Sequence, residues 1–156
     1  MSEKLWTVRE RHAGDKNALV SLWLESFFRS STGREYHFEG GKAEYWRRHE
    51  PLVHRLLARS QVRLAVDIAD PNIICAFVVT EGDDVLHYAM AKRVYHRAGV
   101  TGDMFRDLLG PMMGKRVYHT HELPEFARAE LVASGFRRPE SWIWSPYLLA
   151  DGRAAA

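Results

Sequence analysis

The stretch HRAGVTGDMF, residues 96–105, decides the fold. It follows VLHYAMAKR, residues 85–93, whose apolar and β-branched content predicts a strand. Gly99 stands where a turn that opens a helix often needs a positive φ, and apolar residues then recur at helical spacing over residues 100–108. We therefore predict strand, turn and helix over residues 85–109, with the N–H groups of the turn converging on an open cleft.

Two helices are predicted upstream of this stretch. LWTVRE alternates as a short strand, and Asp15 is a good N-cap for a first helix that ends near Ser30. SSTGREYHFEGG is polar and bounded by glycine, which predicts a loop that could cover a site. The second helix spans residues 42–60, and Pro51 should kink or restart it. The positions spaced to bury one face are Leu19, Leu22, Trp23, Ser26 and Phe27 in the first helix and Tyr45, Trp46, His49, Leu52, Val53, Leu56 and Leu57 in the second.

The remaining elements complete a single domain. Three strands are predicted over residues 62–68, 73–80 and 85–93, and the turns ADPN and EGDD join them. After the helix that opens at Gly99, the pattern predicts a short strand at VYHT, a fourth helix over residues 124–135 and one or two closing strands over residues 136–149. The order β α α β β β α β α β predicts a mixed α/β domain over residues 1–150, built on a mixed, mostly antiparallel sheet flanked by about four helices. Residues 151–156 are a predicted tail.

Composition disfavours several classes of protein. Lys plus Arg total 22 against 20 for Asp plus Glu, so bulk charge gives nucleic-acid binding no support. Cys75 lies in an apolar run, which predicts a buried free thiol. The sequence shows neither an apolar run long enough to span a membrane nor the apolar centre of a signal peptide, and we therefore expect an intracellular protein.

The strand, turn and helix resemble the Gcn5-related N-acetyltransferase (GNAT) family. There, a strand splays from its neighbour, and a turn of pattern Arg/Gln-x-x-Gly-x-Gly/Ala wraps the pyrophosphate of acetyl-CoA. LVASGF resembles the end of the family's fourth helix, and LHYAMAKR with YHRAGV is similar to acetyltransferase-like proteins of tailed bacteriophages. The resemblance implies an acyl-CoA-dependent N-acyltransferase that acts on an amine. The residues implied for acetyl-CoA are Ala91, Lys92 and Arg93, through their main-chain groups, and the turn residues His96, Arg97, Ala98, Gly99, Val100 and Thr101.

The sequence departs from the family pattern at three positions. His96 replaces the usual Arg or Gln, and Thr101 brings a β-branched side chain where a phosphate would pass, although the guanidinium of Arg97 can pair with phosphate. Leu131 stands where many members have a tyrosine that protonates the leaving thiolate. If the chain is an enzyme, another group must supply that proton, and the candidates are Tyr88, Tyr118 and His119.

His87 is the one candidate for a general base on the strand VLHYAMA. The ordinary pKa of an imidazole, near 6.5, suits that task. The alternative interpretation is that the ring packs inside the sheet with its nitrogens hydrogen-bonded. The sequence leaves both open.

Three other patterns have a structural and a functional interpretation. His119 and His121 share a strand face at a spacing that could bind zinc, but no further ligand motif accompanies them, and we predict polar residues at a strand end and no metal. Arg47, Arg48 and His49 could touch phosphate or nucleic acid, but a solvated helix face is favoured. The alternation in WIW favours a closing strand in the core over a stacking platform.

Two further functions compete with an N-acyltransferase. One is a GNAT-fold protein without catalysis that serves as a structural or adaptor component, in a homo-oligomer or in a bacteriophage virion. The other is a phage enzyme that modifies DNA bases, against which the balanced charge counts. Between the enzyme and the scaffold the residues are nearly even, because the loop length and Gly99 favour a retained cofactor site, whereas His96, Thr101 and Leu131 are typical of lost catalysis.

Overall fold

A computed structural model describes residues 3–30, 40–95, 99–109, 116–121 and 142–144 of the chain. In chain order, the elements are β1 (Trp6–Glu10), α1 (Lys16–Arg29), α2 (Gly41–Arg59), β2 (Gln61–Asp67), β3 (Ile74–Glu81), β4 (Val85–Ala91), α3 (Val100–Leu109), β5 (Val117–His119) and β6 (Trp142–Trp144). Short 3-10 turns precede α1 and follow β4. The predicted fourth helix, the tail and Leu131 lie outside the described residues.

Within the described residues, six strands form one sheet in the order β1-β2-β3-β4-β5-β6. Neighbours from β1 to β4 are antiparallel, and β4–β5 and β5–β6 are parallel. Tight turns make the hairpins possible: Asp67 Oδ1 accepts hydrogen bonds from the N–H groups of Ala69 and Asp70 after β2, and Gly82 takes a positive φ of 62° after β3. The chain must pass through α3 before β5, which permits the parallel pairing. The predicted mixed, mostly antiparallel sheet is confirmed.

Helices cover both faces of this sheet. The core on one face joins α1 and α2 to the sheet and contains Leu19, Val20, Trp23, Leu24, Phe27, Tyr45, Val53, Leu56, Leu57, Val62, Leu64, Val66, Ile74, Phe77, Val79, Tyr88 and Met90. The core on the other face lies under α3 and contains Trp6, Ala65, Cys75, Ala76, Val78, Leu86, Ala89, Ala91, Val100, Met104 and Val117. Cys75 is buried as expected, and burial raises the pKa of its thiol.

Two predictions about the helices hold in part. Asp15 is the N-cap residue of α1 as predicted, but without a side-chain cap; its carboxylate accepts a hydrogen bond from the N–H of His12 and two from Arg9, so it closes the 3-10 turn before the helix. Of the kink or restart predicted at Pro51, the restart does not occur, because α2 is continuous from Gly41 to Arg59. Pro51 lies on the exposed face, where water can satisfy the carbonyl that loses its donor.

A β-bulge falls at His87 in the centre of the sheet. Val79 pairs with Tyr88 and the next residue, Thr80, pairs with Leu86, so His87 is the extra residue of β4. A bulge bends its strand and re-aims the side chains beside it. β4 therefore bends at the residue that the sequence singled out as a base or a core histidine.

In the described residues, no helix combines the length and apolarity needed to cross a lipid bilayer.

Candidate functional site

β4 and β5 pair over a short distance and then part. Val85 pairs with Tyr118 and Leu86 with His119. On its other edge, β4 stays paired with β3 as far as Ala91. Past Leu86 the described residues show no further β4–β5 pair, and we call this parting of the strands the fork. The bulge at His87 begins where the pairing ends, which is a physical reason for the fork to form there.

The start of α3 follows the other end of β4. Gly99 has a φ of 87°, as predicted, and its carbonyl accepts a hydrogen bond from the N–H of Asp103 in the first turn of the helix. Nothing lies within 4 Å of the position that a Cβ on Gly99 would occupy, so the space beside it is open. The Asp103 carboxylate is engaged by Trp6 Nε1 at 3.1 Å and by Lys4 Nζ at 2.9 Å. The remaining turn residues, His96 to Ala98, lie outside the described residues, as does the side chain of Thr101.

The segment between β4 and the turn already uses part of its main chain. The N–H of Lys92 donates to the carbonyl of Cys75 at 2.8 Å, and the carbonyl of Lys92 accepts from the N–H of Tyr95 at 2.9 Å. The N–H of Lys92 is therefore already used in this conformation, whereas its carbonyl retains a second lone pair. Arg93 begins the 3-10 turn and has an exposed side chain.

His87 is fully buried, and both of its ring nitrogens have partners. Nδ1 lies 2.8 Å from Thr120 Oγ1, and Nε2 lies 3.0 Å from Glu81 Oε1. Arg59 Nε donates to the same carboxylate oxygen at 2.7 Å. The structure thus shows the packed and hydrogen-bonded histidine of the alternative interpretation, with a carboxylate behind it that the sequence did not indicate.

The hydrogen bonds continue from Thr120 to α2. Thr120 Oγ1 lies 3.3 Å from His121 Nδ1, and His121 Nε2 lies 2.9 Å from His49 Nε2. Together these groups form what we call the polar network, which consists of Arg59, Glu81, His87, Thr120, His121 and His49. It begins at the end of α2, crosses β3, β4 and the end of β5 at the fork, and returns to the middle of α2.

Burial keeps the imidazoles of the network neutral. It lowers the pKa of His49 to about 4, lowers that of His87 despite the opposing hydrogen bond to Glu81, and lowers that of His121 well below its ordinary value. For Glu81, burial alone would raise the pKa, but hydrogen bonds from His87 and Arg59 outweigh it and hold the pKa of the carboxyl below its ordinary value. At neutral pH the network therefore contains one ion pair and three uncharged rings.

The three candidate acids occupy different environments. Tyr88 is fully buried, its hydroxyl lies 2.8 Å from Ser26 Oγ, and burial raises the pKa of the phenol. Tyr118 and His119 are half-buried and form the last pairs before the fork. His119 Nδ1 donates to the carbonyl of His121 at 3.1 Å, so the proton of a neutral His119 ring lies on Nδ1. Tyr118 and His119 thus flank the fork, whereas Tyr88 packs beneath α1.

His121 is not arranged with His119 as a chelating pair. Its ring lies against Trp23, Phe27 and Tyr88 and meets His49 edge to face. In the residues that the structure describes, no group of three or more His, Cys, Asp and Glu side chains could hold a metal ion.

Two solved structures share this architecture. The solution structure of apo-form YjaB from Escherichia coli is 18% identical, with a TM-score of 0.51 over 69% of this chain and 66% of that chain. The crystal structure of a GCN5-related N-acetyltransferase from Rhodopseudomonas palustris is 16% identical, with a TM-score of 0.51 over 72% of this chain and 70% of that one. This chain has the GNAT fold. At such identities the likeness establishes the fold alone, and the match spans just under two thirds of YjaB.

No protein-family model matches the sequence, and no curated protein does. The GNAT fold therefore rests on the structure. The two similar structures come from bacteria, and the resemblance to phage proteins stays a prediction.

The sequence does not indicate three members of the polar network as site residues. Glu81 belongs to the predicted EGDD turn, Arg59 to the end of a predicted helix and Thr120 to the end of a predicted strand. His49 is indicated only as part of a buried stripe and of a possible phosphate contact with two arginines. The pair His119 and His121 gave a signal, but it pointed to zinc, and the partner of His121 lies 72 positions earlier in the sequence.

Proposed function

We propose that the chain is an acyl-CoA-dependent N-acyltransferase. The observation that carries this proposal is the fork, with the positive-φ Gly99 and the start of α3 at the far end of β4. A strand edge that has lost its neighbour can bind an extended ligand through main-chain hydrogen bonds, and a helix N-terminus attracts phosphate. Acetyl-CoA has both features, since an amide-containing arm leads to a diphosphate.

The described residues fit such a ligand. The open space at Gly99 lets a phosphate approach the main chain, and buried Val100 and Met104 fix the start of α3 against the sheet. The acidic Asp103 would oppose an anion, but its charge is offset by Lys4. The charge contact proposed for the diphosphate is Arg97, which belongs to the turn pattern of the sequence.

Catalysis requires the chain to move two protons. Acetyl-CoA would supply a thioester, and the protein must remove a proton from the attacking amine and return one to the thiolate. For the second task we favour Tyr118 or His119, because they flank the fork, over the buried Tyr88. His87 has both nitrogens occupied and cannot contact the amine directly in this conformation.

Calorimetric titration with acetyl-CoA and with CoA tests the proposal. We expect both to bind, and Arg97→Ala to weaken binding by about 1.5–3 kcal/mol, the range for a hydrogen bond to a charged group. Arg47→Ala is the matched control, because it removes the same charge from the exposed face of α2, where Arg47 pairs with Glu44. A loss with Arg47→Ala alone would move the phosphate site to α2.

Absence of heat with either ligand would overturn the proposal. The chain would then have the GNAT fold without binding CoA, and this result would favour the structural or adaptor role. That role predicts that the protein is recovered within a larger assembly, which mass in solution and in any native particle can show.

A further inference from the structure

The polar network ends at His49, and the two nitrogens of this ring differ, because only Nε2 takes part in the network. His87 and His121 are fully buried, whereas His49 is half-buried on α2. In the part of the chain that the structure describes, the hydrogen bond of the His49 ring is the one from Nε2 to His121. The protonation state of the other nitrogen, Nδ1, follows from the direction of the hydrogen bonds along the network.

Glu81 sets the direction in which the hydrogen bonds of the network are donated. A carboxylate accepts hydrogen bonds and does not donate them, and the guanidinium of Arg59, which donates to the same oxygen, favours the charged form of Glu81. The nitrogen of His87 that faces Glu81 at 3.0 Å, Nε2, must therefore carry the proton. A neutral ring with Nε2–H has its lone pair on Nδ1, so the Thr120 hydroxyl donates to His87 across 2.8 Å.

The same direction continues to α2. Thr120 has one hydroxyl proton, which it gives to His87, so it accepts from Nδ1–H of His121 at 3.3 Å. His121 then has its lone pair on Nε2 and accepts the hydrogen bond from Nε2–H of His49 at 2.9 Å. His49 is left with an unprotonated Nδ1.

Packing also orients the ring of His49. The ring lies nearly parallel to the rings of Phe27 of α1 and Tyr45 of its own helix, with centroids 5.3 Å away in both cases. Its partner His121 lies two residues beyond the last β4–β5 pair, so the His49 ring stands beside the fork. An oriented lone pair at the edge of a proposed ligand site is the arrangement that a general base requires.

We propose that His49 Nδ1 accepts the proton of the incoming amine, and that Glu81, His87, Thr120 and His121 are positioning residues that hold His49 in its basic tautomer. This inference rests on the proposed function. The amine enters unprotonated. Its nitrogen forms the C–N bond to the thioester carbon as the C–S bond breaks, and His49 Nδ1 takes the proton that this nitrogen loses. The thiolate leaves with the electron pair and takes a proton from Tyr118 or His119, which regains one from the His49 imidazolium.

The tautomers can be observed without any ligand. In the full chain with ¹⁵N-labelled histidine, long-range ¹H–¹⁵N spectra at neutral pH should show Nε2–H for His87 and His49 and Nδ1–H for His121. Single histidine-to-glutamine variants assign the signals. A His49 ring that carries its proton on Nδ1, or a doubly protonated His87, would overturn the inference.

Thr120→Val breaks the network. Loss of the hydroxyl removes the partner that His87 and His121 share, so nothing fixes the proton of His49, and its ring should show a mixture of tautomers. Thr7→Val, on the exposed side of β1, is the matched control and should leave the tautomers unchanged. If Thr120→Val fails to fold, Glu81→Leu serves, because it removes the acceptor that sets the direction of the hydrogen bonds. A single His49 tautomer, unchanged in the folded variant, contradicts the proposal.

Activity provides the second readout. CoA release from acetyl-CoA is followed with a panel of primary amines that includes a polyamine, an arylethylamine and a lysine peptide. His49→Gln keeps a donor for His121 but cannot take a proton, and it should lower kcat by about 10²–10⁴-fold with little change in the KM for acetyl-CoA. The control His54→Gln, on the same helix, should retain the parent rate.

The outcomes separate the two proposals. Turnover that persists in His49→Gln overturns the role of His49 and leaves the acyltransferase intact. The expected tautomers in a protein that neither binds nor cleaves acetyl-CoA overturn the proposed function, and with it the catalytic role of His49, while the positioning of the ring stands.

Discussion

The two edges of β4 are held by different forces. Toward β3, six residue pairs form a ladder that spans the length of β4 with one bulge, at His87, and the side chains that pack there are mainly apolar. Toward β5, two pairs are followed by hydrogen bonds between side chains, from His87 through Thr120 to His121. On the edge that faces β5, hydrogen bonds between side chains thus replace main-chain pairing beyond Leu86.

The two edges of β4 should therefore differ in how well they tolerate amino-acid substitutions. An apolar interface loses stability in proportion to the volume removed and can repack around a substitution. A buried polar network depends on every member, because one missing partner leaves another group desolvated without a hydrogen bond. Four variants or conditions test this contrast.

The largest effect is expected from Trp23→Ala, on the apolar side. Trp23 is fully buried, stacks on Tyr88 with ring centroids 5.1 Å apart and touches Phe77 of β3. Loss of the ring should reduce the free energy of unfolding by about 3–5 kcal/mol, measured by urea denaturation. Trp23→Phe should lose much less, because Trp23 Nε1 is buried without a hydrogen-bond partner in the described structure. Equal losses would mean that the indole nitrogen matters more than the volume.

Thr120→Val should have the next largest effect although it scarcely changes volume. The valine would leave His87 Nδ1 and His121 Nδ1 without their shared partner, and we expect a loss of about 1–3 kcal/mol in unfolding free energy. Thr7→Val, on the exposed side of β1, is the control and should change stability by less than about 0.5 kcal/mol. Equal behaviour of the two variants would show that the hydroxyl bridge is not formed.

Acid should weaken the protein through the same network. The folded-state pKa of His49, about 4, lies below the ordinary value of 6.5, so the unfolded chain binds more protons and stability falls as pH drops from about 6.5 toward 4. His49 alone should contribute a loss of about 2 kcal/mol at pH 5 relative to pH 8, and His87 and His121 act in the same direction.

Urea unfolding at pH 5 and pH 8 measures this loss, and His49→Gln should remove its share. The lowered pKa of Glu81 acts in a more acidic window, below the ordinary value of 4.5, and so does not account for a loss at pH 5. A stability that is flat between the two pH values would contradict the burial of neutral imidazoles.

The smallest effect is expected from Tyr88→Phe. The phenol hydroxyl shares one hydrogen bond with Ser26, and its loss should reduce the free energy of unfolding by about 1 kcal/mol. Because Tyr88 is buried, the variant should leave the rate of acyl transfer unchanged. A large fall in kcat with unchanged stability would restore Tyr88 as the acid.

The sequence predicts the fold better than it predicts the candidate site. The strands from β2 to β4, the buried stripes of α1 and α2 and the positive φ of Gly99 follow from periodicity and turn chemistry, which are local. The polar network is not local: Arg59 with Glu81, and His49 with His121, meet only after the sheet has brought their elements together. Even His87, identified in advance, did not reveal its partners, because the bulge that aims its side chain depends on the register with β3.

The parallel attachment of β5 has a consequence for the order of folding. The strands from β2 to β4 are joined by tight turns, so their contacts close short loops, whereas β5 reaches β4 only after the chain has passed through α3. Contacts of long sequence separation carry the larger entropic barrier. We therefore expect the antiparallel hairpins to form first and β5 to dock late, which makes the region proposed for chemistry the last to assemble and the first to open in native-state fluctuations.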